Sequence, residues 1–281
     1  MKNSNVKNID LIGYACGLAA GNPGCAEGPV RLQQAFQTLE LLYPDISLSK
    51  NKYDVITELS VRLAKRVEKA VRAKKPFIVF AGDHSCAIGT WSGVAHALQQ
   101  DIGLIWIDAH LDSHTPETSP SGNIHGMPVA HLLNYGNLSL RSVLNSNPKI
   151  KPENICFIGV RSYEQGELDL IQRLNIKVFY NTEVLERGLE TVFKEAKSLV
   201  TRNTPYYGLS IDLDGLDPDD TPGVGTPEPK GIRAKDLYAV LQKYCQGDKN
   251  LLGAEITEFN PHEDIQNKTL DVIHQLVNSI Y

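Results

Sequence analysis

Four side chains able to bind a metal occupy every second position of one short stretch: Asp108, His110, Asp112 and His114 in WIDAHLDSHTP. In an extended chain that spacing sends all four to one side. Two other places have the same character. Asp83-His84-Ser85 follows the apolar run FIVFA, and Asp212 and Asp214 follow YYGLS within IDLDGLDP. Carboxylates set directly against an apolar core repel one another, and their pKa values rise. A bound cation removes both problems. His84, His110, Asp108, Asp112, Asp212 and Asp214 make two imidazoles and four carboxylates, with no thiolate among them. Six ligands are too many for one tetrahedral zinc, and carboxylates with some imidazole suit Mn²⁺ or a similar divalent ion. Two ions about 3.5–4 Å apart, bridged by carboxylates, would use all six and activate a water for hydrolysis at carbon or phosphorus. Binuclear metallophosphatases share DxH and GD elements, but here GDH precedes DAH and the later histidine motifs are missing.

These groups need strands to carry them. Short apolar runs predict strands at Ile9–Tyr14, Pro76–Ala81, Ile102–Ile107, Ile155–Gly159, Lys177–Tyr180, Tyr207–Ile211 and Leu252–Ile256. They lack clean alternation, as strands covered on both faces do. Amphipathic stretches between them predict helices at Thr57–Ala73, Ile88–Leu98, Leu168–Leu174, Glu183–Val200 and Ala234–Tyr244. Alternating strand and helix implies a mostly parallel sheet with helices on both faces. No linker or repeat divides the chain, so a single domain over residues 1–281 is expected. In such sheets ligands gather at the carboxyl ends of the strands, where GDHS, DAHLD, DLDGLDP and EITEFNP all fall.

The composition excludes other classes. The 281 residues are 42% hydrophobic and 22% charged, with a net charge of -5, and no basic stripe suggests nucleic acid. No apolar run is long enough to span a bilayer. Lys2 and Lys7 before LIGYACGLAAG loosely imitate a leader, but Asp10 interrupts the short apolar run, which reads instead as a first buried strand. The scattered Cys16, Cys25, Cys86, Cys156 and Cys245 read as buried thiols of a reducing compartment, so the protein is expected to be cytoplasmic.

Together, FAGDHSCAIGT (80–90), WIDAHLDSHTPETSPSGNIHGMPVA (106–130), LSIDLDGLDPDDTPGVGTPEP (209–229) and EITEFNP (255–261) resemble the arginase/agmatinase (ureohydrolase) family in order and spacing. The resemblance runs from about Gly13 to near the C-terminus. SPSGNIHGMPVA is more similar to bacterial arginases, and GTPEP leans towards agmatinase-type members. It implies an arginase-like three-layer α/β/α fold around a mostly parallel eight-stranded sheet. It also implies two Mn²⁺ per chain, with Co²⁺ or another divalent ion as alternatives, and a trimer or hexamer of identical chains. The reaction implied is hydrolysis of L-arginine to L-ornithine and urea by a metal-bridging hydroxide, with agmatine or another guanidino compound as the alternative substrate.

By the same resemblance, one ion takes His84, Asp108, Asp112 and Asp212, and the other takes Asp108, His110, Asp212 and Asp214. Asp112 directs the hydroxide, His125 in GNIHG shuttles a proton, and Glu258 pairs with the guanidinium. Thr226 lies in the family's site loop. The far end of the substrate falls to His114, Ser121, Asn123 and Glu164. Ser121 and Asn123 agree with the arginase pattern, whereas His114 replaces its usual asparagine and Glu164 its usual aspartate. His96, His131, His262 and His274 lie outside the motifs and are read as structural.

Overall fold

The computed structural model describes residues 9–47 and 51–281; Lys2 and Lys7 lie outside them. Among the described residues an eight-stranded sheet runs in the order β2-β1-β3-β8-β7-β4-β5-β6. The strands are β1 (Asp10–Tyr14), β2 (Glu40–Leu42), β3 (Phe77–Ala81), β4 (Gly103–Ile107), β5 (Ile155–Val160), β6 (Lys177–Tyr180), β7 (Tyr207–Asp212) and β8 (Leu251–Thr257). Every ladder between them is parallel.

Side chains alternate across this sheet and build two cores. Leu11, Ile78, Phe80, Ile105, Ile107 and Ile158 pack on one face against α1 (Glu27–Gln33), α8 (Leu189–Val200), α9 (Ala234–Tyr244) and α10 (Lys268–Ile280). Ile12, Tyr14, Phe77, Val79, Leu104, Trp106 and Phe157 pack on the other against α2 (Lys52–Arg72) and α3 (Cys86–Leu98). The result is the expected three-layer α/β/α arrangement. Each fully buried Ile, Leu or Phe contributes about 1.5–3 kcal/mol relative to exposure. All five cysteines are buried and free.

All seven expected strands form, with no end shifted by more than one residue. The eighth strand that the resemblance implies is β2, which no apolar run marks: it has three residues at a sheet edge, one of them the exposed Glu40. The stretch Glu183–Val200, read as one helix, is two. α7 (Asn181–Arg187) ends at Gly188, whose φ of 79° is incompatible with helix, and α8 starts afresh. Helices α1 and α10 were also unforeseen. So were α4 (Pro128–Leu132) and α5 (Leu138–Arg141), whereas α6 (Gln165–Arg173) overlaps the stretch expected at Leu168–Leu174.

The connectivity creates the site. The chain crosses from β3 to β4 and leaves a gap that β7 and β8 later fill. A reversal of strand order of this kind opens a crevice at the carboxyl ends. The loops leaving β3, β8, β7, β4 and β5, five consecutive strands, meet there.

Candidate metal centre

Asp212 is the last residue of β7, and every other candidate ligand sits one to five residues beyond the end of a buried strand. Gly82 turns the chain after β3 so closely against the backbone of Cys16 that a Cβ there would lie 2.0 Å from its carbonyl oxygen. Asp83 then ties the loop down. Its carboxylate accepts from the Ala19 and Ser85 backbone amides at 3.1 Å, and the Ser85 hydroxyl donates to it. Asp83 is thus a loop anchor beside the site. Burial, then the nearby Glu258, pushes its carboxyl up to about 6.

His84 is the centre of the first cluster. Its Nδ1 stands 2.9 Å from Asp212 Oδ2, 3.0 Å from Asp112 Oδ2 and 3.3 Å from Asp108 Oδ2. Yet this nitrogen is fully buried and makes no hydrogen bond of usable geometry. A buried polar atom without a partner costs free energy. Three carboxylate oxygens converging on an orphaned imidazole nitrogen form the donor arrangement of a metal ligand set. The other nitrogen, Nε2, is 2.8 Å from the Ser210 hydroxyl, which donates to Glu255 at 2.7 Å. Trp91 donates to the same Glu255 oxygen. Trp106 stacks on the His84 ring at 4.4 Å and donates to Asp108 Oδ2 at 2.8 Å. Such supporting bonds fix the tautomer and direction of ligands.

The second cluster shares Asp108. His110 Nδ1 lies 3.5 Å from Asp108 Oδ1 and 3.3 Å from Asp214 Oδ2. Ligand atoms of His84, Asp108 and Asp212 on one side, and of Asp108, His110 and Asp214 on the other, lie close enough for one ion per group. Asp112 reaches the first group through a backbone turn with φ of 47°, a left-handed conformation that aspartate tolerates better than most residues. The Thr257 hydroxyl donates to Asp212, and the Thr226 hydroxyl donates to Asp214 at 2.9 Å.

The electrostatics match the geometry. Burial raises Asp112, Asp212 and Asp214, and neighbouring carboxylates add to it; Asp112 reaches about 7. Burial opposes a charged imidazole at His84 and His110, but the surrounding carboxylates win and hold both well above their ordinary value. Asp108 alone falls, because both imidazoles outweigh its burial. The site therefore retains protons where a divalent cation would displace them. Imidazole and carboxylate donors without thiolate suit Mn²⁺ and its neighbours.

Above the clusters lies a cleft of about 270 Å³. Its walls include His125, Glu258, Thr226, His114, Glu164 and Glu167. Glu258 is 3% exposed, so it is not a surface glutamate. Its Oε1 accepts from the His84 amide at 2.8 Å and lies 3.1 Å from His125 Nδ1. Burial disfavours a charged His125, but Glu258 overrides it and raises the imidazole to about 9. Ser121 and Asn123 sit in the loop beside the cleft, the Asn123 amide donating to the Ser121 hydroxyl at 3.2 Å, and neither lines it. The histidines read as structural stand apart from the cleft: His96 pairs with Glu68, His262 with Glu27, His274 stacks on Phe36, and His131 bonds Met127 and Asn137.

Sequence reasoning missed Arg161. Its guanidinium donates to the carbonyls of Gly159, Asp214, Gly215, Leu216, Glu228 and Pro229, pinning the Asp214 loop from behind. Its only sequence signal is a cation at the end of an apolar strand, which says nothing about carbonyls more than fifty residues away. Also missed were Trp106 and Glu255, each hidden in a strand as ordinary core. No helix among the described residues is long and apolar enough to cross a membrane.

Residues 7–281 match the arginase family model. The chain is 38% identical to an arginase of Brevibacillus brevis, with 98% of each chain covered, and 36% identical to an arginase of Bacillus caldovelox over the same shares. The crystal structure of arginase from Bacillus subtilis superposes with a TM-score of 0.88 at 37% identity, covering 98% of both chains. A formimidoylglutamase structure, also from Bacillus subtilis, has a TM-score of 0.81 at 20% identity, which speaks for the fold alone. With its sequence, sheet and buried His/Asp clusters in agreement, the chain belongs to the arginase family.

Proposed function

We propose that the chain, acting as one domain, hydrolyses L-arginine to L-ornithine and urea. The observation that carries this reading is the pair of ligand groups sharing Asp108 beneath a cleft walled by His125 and Glu258. In this reading His84, Asp108, Asp112 and Asp212 hold one Mn²⁺, and Asp108, His110, Asp212 and Asp214 hold the second. When bound, such a pair supplies Lewis acidity and an activated water for attack on the guanidinium carbon. Glu258 offers a carboxylate to the planar guanidinium, a directional charge-assisted contact. Asp112 accepts a hydrogen bond from the attacking water and fixes its direction. His125, held protonated by Glu258, gives its proton to the departing amine nitrogen as the C–N bond breaks. Thr226 keeps the Asp214 carboxylate in place. Assembly into trimers or hexamers belongs to the same reading.

The test is urea release from L-arginine, agmatine, guanidinobutyrate and guanidinopropionate. Arginine should give the highest kcat/KM. A higher value for agmatine would transfer the assignment to that substrate.

A further inference from the structure

At two positions near the far end of the cleft this chain departs from the arginase pattern, and the two departures touch. His114 Nε2 lies 2.7 Å from Glu164 Oε2. The other ring nitrogen, Nδ1, lies 3.1 Å from the Thr118 hydroxyl. Both nitrogens of a nearly buried imidazole are therefore engaged by the protein. With both nitrogens bonded, His114 has no donor to spare for a substrate carboxylate. The fit around it is close. A Cβ at Gly166 would lie 2.7 Å from the Thr118 side chain and 3.4 Å from the His114 ring.

The neighbouring Glu167 is also committed. Its carboxylate accepts from the Ser113 amide at 3.3 Å and from the Glu164 amide at 2.9 Å, which ties the start of α6 to the ligand loop. Glu164 is different. Its side chain is 58% exposed and lines the cleft, fastened to His114 through one oxygen. A long exposed carboxylate loses rotamer freedom when it binds a ligand, and holding it beforehand removes part of that cost. Among the described residues no lysine or arginine lines the cleft. Its outer wall offers a fixed carboxylate and no unengaged cation.

We propose that His114 is a positioning residue for substrate selection: it holds Glu164 over the outer cleft, so that the wall reads the substrate's ammonium group. The proposal rests on the reading that the chain hydrolyses guanidino compounds, and it names which end of the substrate decides.

Three substrates separate the ends: L-arginine, agmatine (no carboxylate) and 5-guanidinopentanoate (no amine). Urea release by the Mn²⁺-loaded full chain should fall more for the substrate without the amine than for the one without the carboxylate. Losing one charge-assisted bond corresponds to about tenfold in kcat/KM. H114A should raise KM for arginine by about tenfold with a smaller change in kcat. It should leave KM for 5-guanidinopentanoate unchanged, and leave bound metal at the wild-type level. E164Q should do the same, and the double variant should be no worse than either single one, because the two residues act as a unit. H114Q, whose amide can still donate to Glu164, should recover most of the affinity. Equal KM increases for both substrates in H114A would mean that His114 contacts the carboxylate end, and would overturn the proposal. So would additive effects, loss of metal in H114A, or a greater loss for agmatine. If the wild-type chain releases urea from none of the three, the hydrolytic reading itself fails.

Discussion

The two ends of the sheet treat their charges in opposite ways. At the amino ends of the strands, carboxylates have cationic partners from the protein. Asp10 lies between Arg66 and Lys75, Asp101 meets Lys151 at 2.7 Å, and Asp248 meets Lys197. Even the buried Lys149, lowered to about 8 by its burial, spends its ammonium on the Asn145 and Asn147 carbonyls and the Asn145 side chain. A hollow of about 530 Å³ at this end, larger than the cleft, is bordered by these already satisfied groups. At the carboxyl ends, Asp108, Asp112, Asp212, Asp214 and Glu258 have only His84, His110 and His125 as ion-pair partners among the described residues. The amino end closes its own electrostatics. The carboxyl end gathers more buried acidic groups than the protein's own cations match, and a pair of divalent cations would take the place of the protons it retains.

The largest effect should come from the shared carboxylate. Asp108→Ala takes a donor from both clusters and should lower kcat on the order of 10³-fold, with loss of bound metal, in a urea-release assay paired with elemental analysis. Activity and metal near wild type would break the contrast between the ends.

Isosteric changes at the two ends should move stability in opposite directions. Burial and then Asp108 hold Asp112 up to about 7 in the folded chain. A raised carboxyl destabilises the folded state above its unfolded value of about 3.9. Asp112→Asn should therefore stabilise the metal-free protein near neutral pH, on the order of 2 kcal/mol, and the gain should vanish as pH falls through about 4. Denaturant unfolding with chelator present measures it, and a loss of stability would refute the sign.

Asp10 runs the other way and more weakly. Burial raises it, but Arg66 and Lys75 prevail and hold it below its ordinary value. Its stabilisation is present above the unfolded pKa and is lost as pH falls through the lower folded one. Asp10→Asn should cost about 1.5 kcal/mol near neutral pH, a difference that closes in acid below about 4. The same unfolding series measures it, and a cost independent of pH would mean that packing, not charge, is at stake.

What could be read from the sequence follows from how local each signal is. Strands β3, β4 and β7 were visible because apolar runs end abruptly in GDH, DAH and DLD, and those endings also carry candidate ligands. The expectation of six ligands needed only residue types and their place after strands. β2 stayed invisible because three residues carry no pattern, and the break at Gly188 because apolar spacing continues on both sides of it. The parts of the site that were missed depend on distances between strands. Glu255 supports His84 through Ser210, 45 residues away, and Arg161 grips carbonyls up to 68 residues away. His114 shows the same limit. Its spacing after the strand could be read, whereas its engagement by Glu164 and Thr118 could not.

The most direct measurement is the metal content of the Mn²⁺-loaded chain after excess ion is removed. With three carboxylates and two imidazoles in two groups sharing Asp108, about two ions should remain per chain. A value near one would contradict the binuclear site.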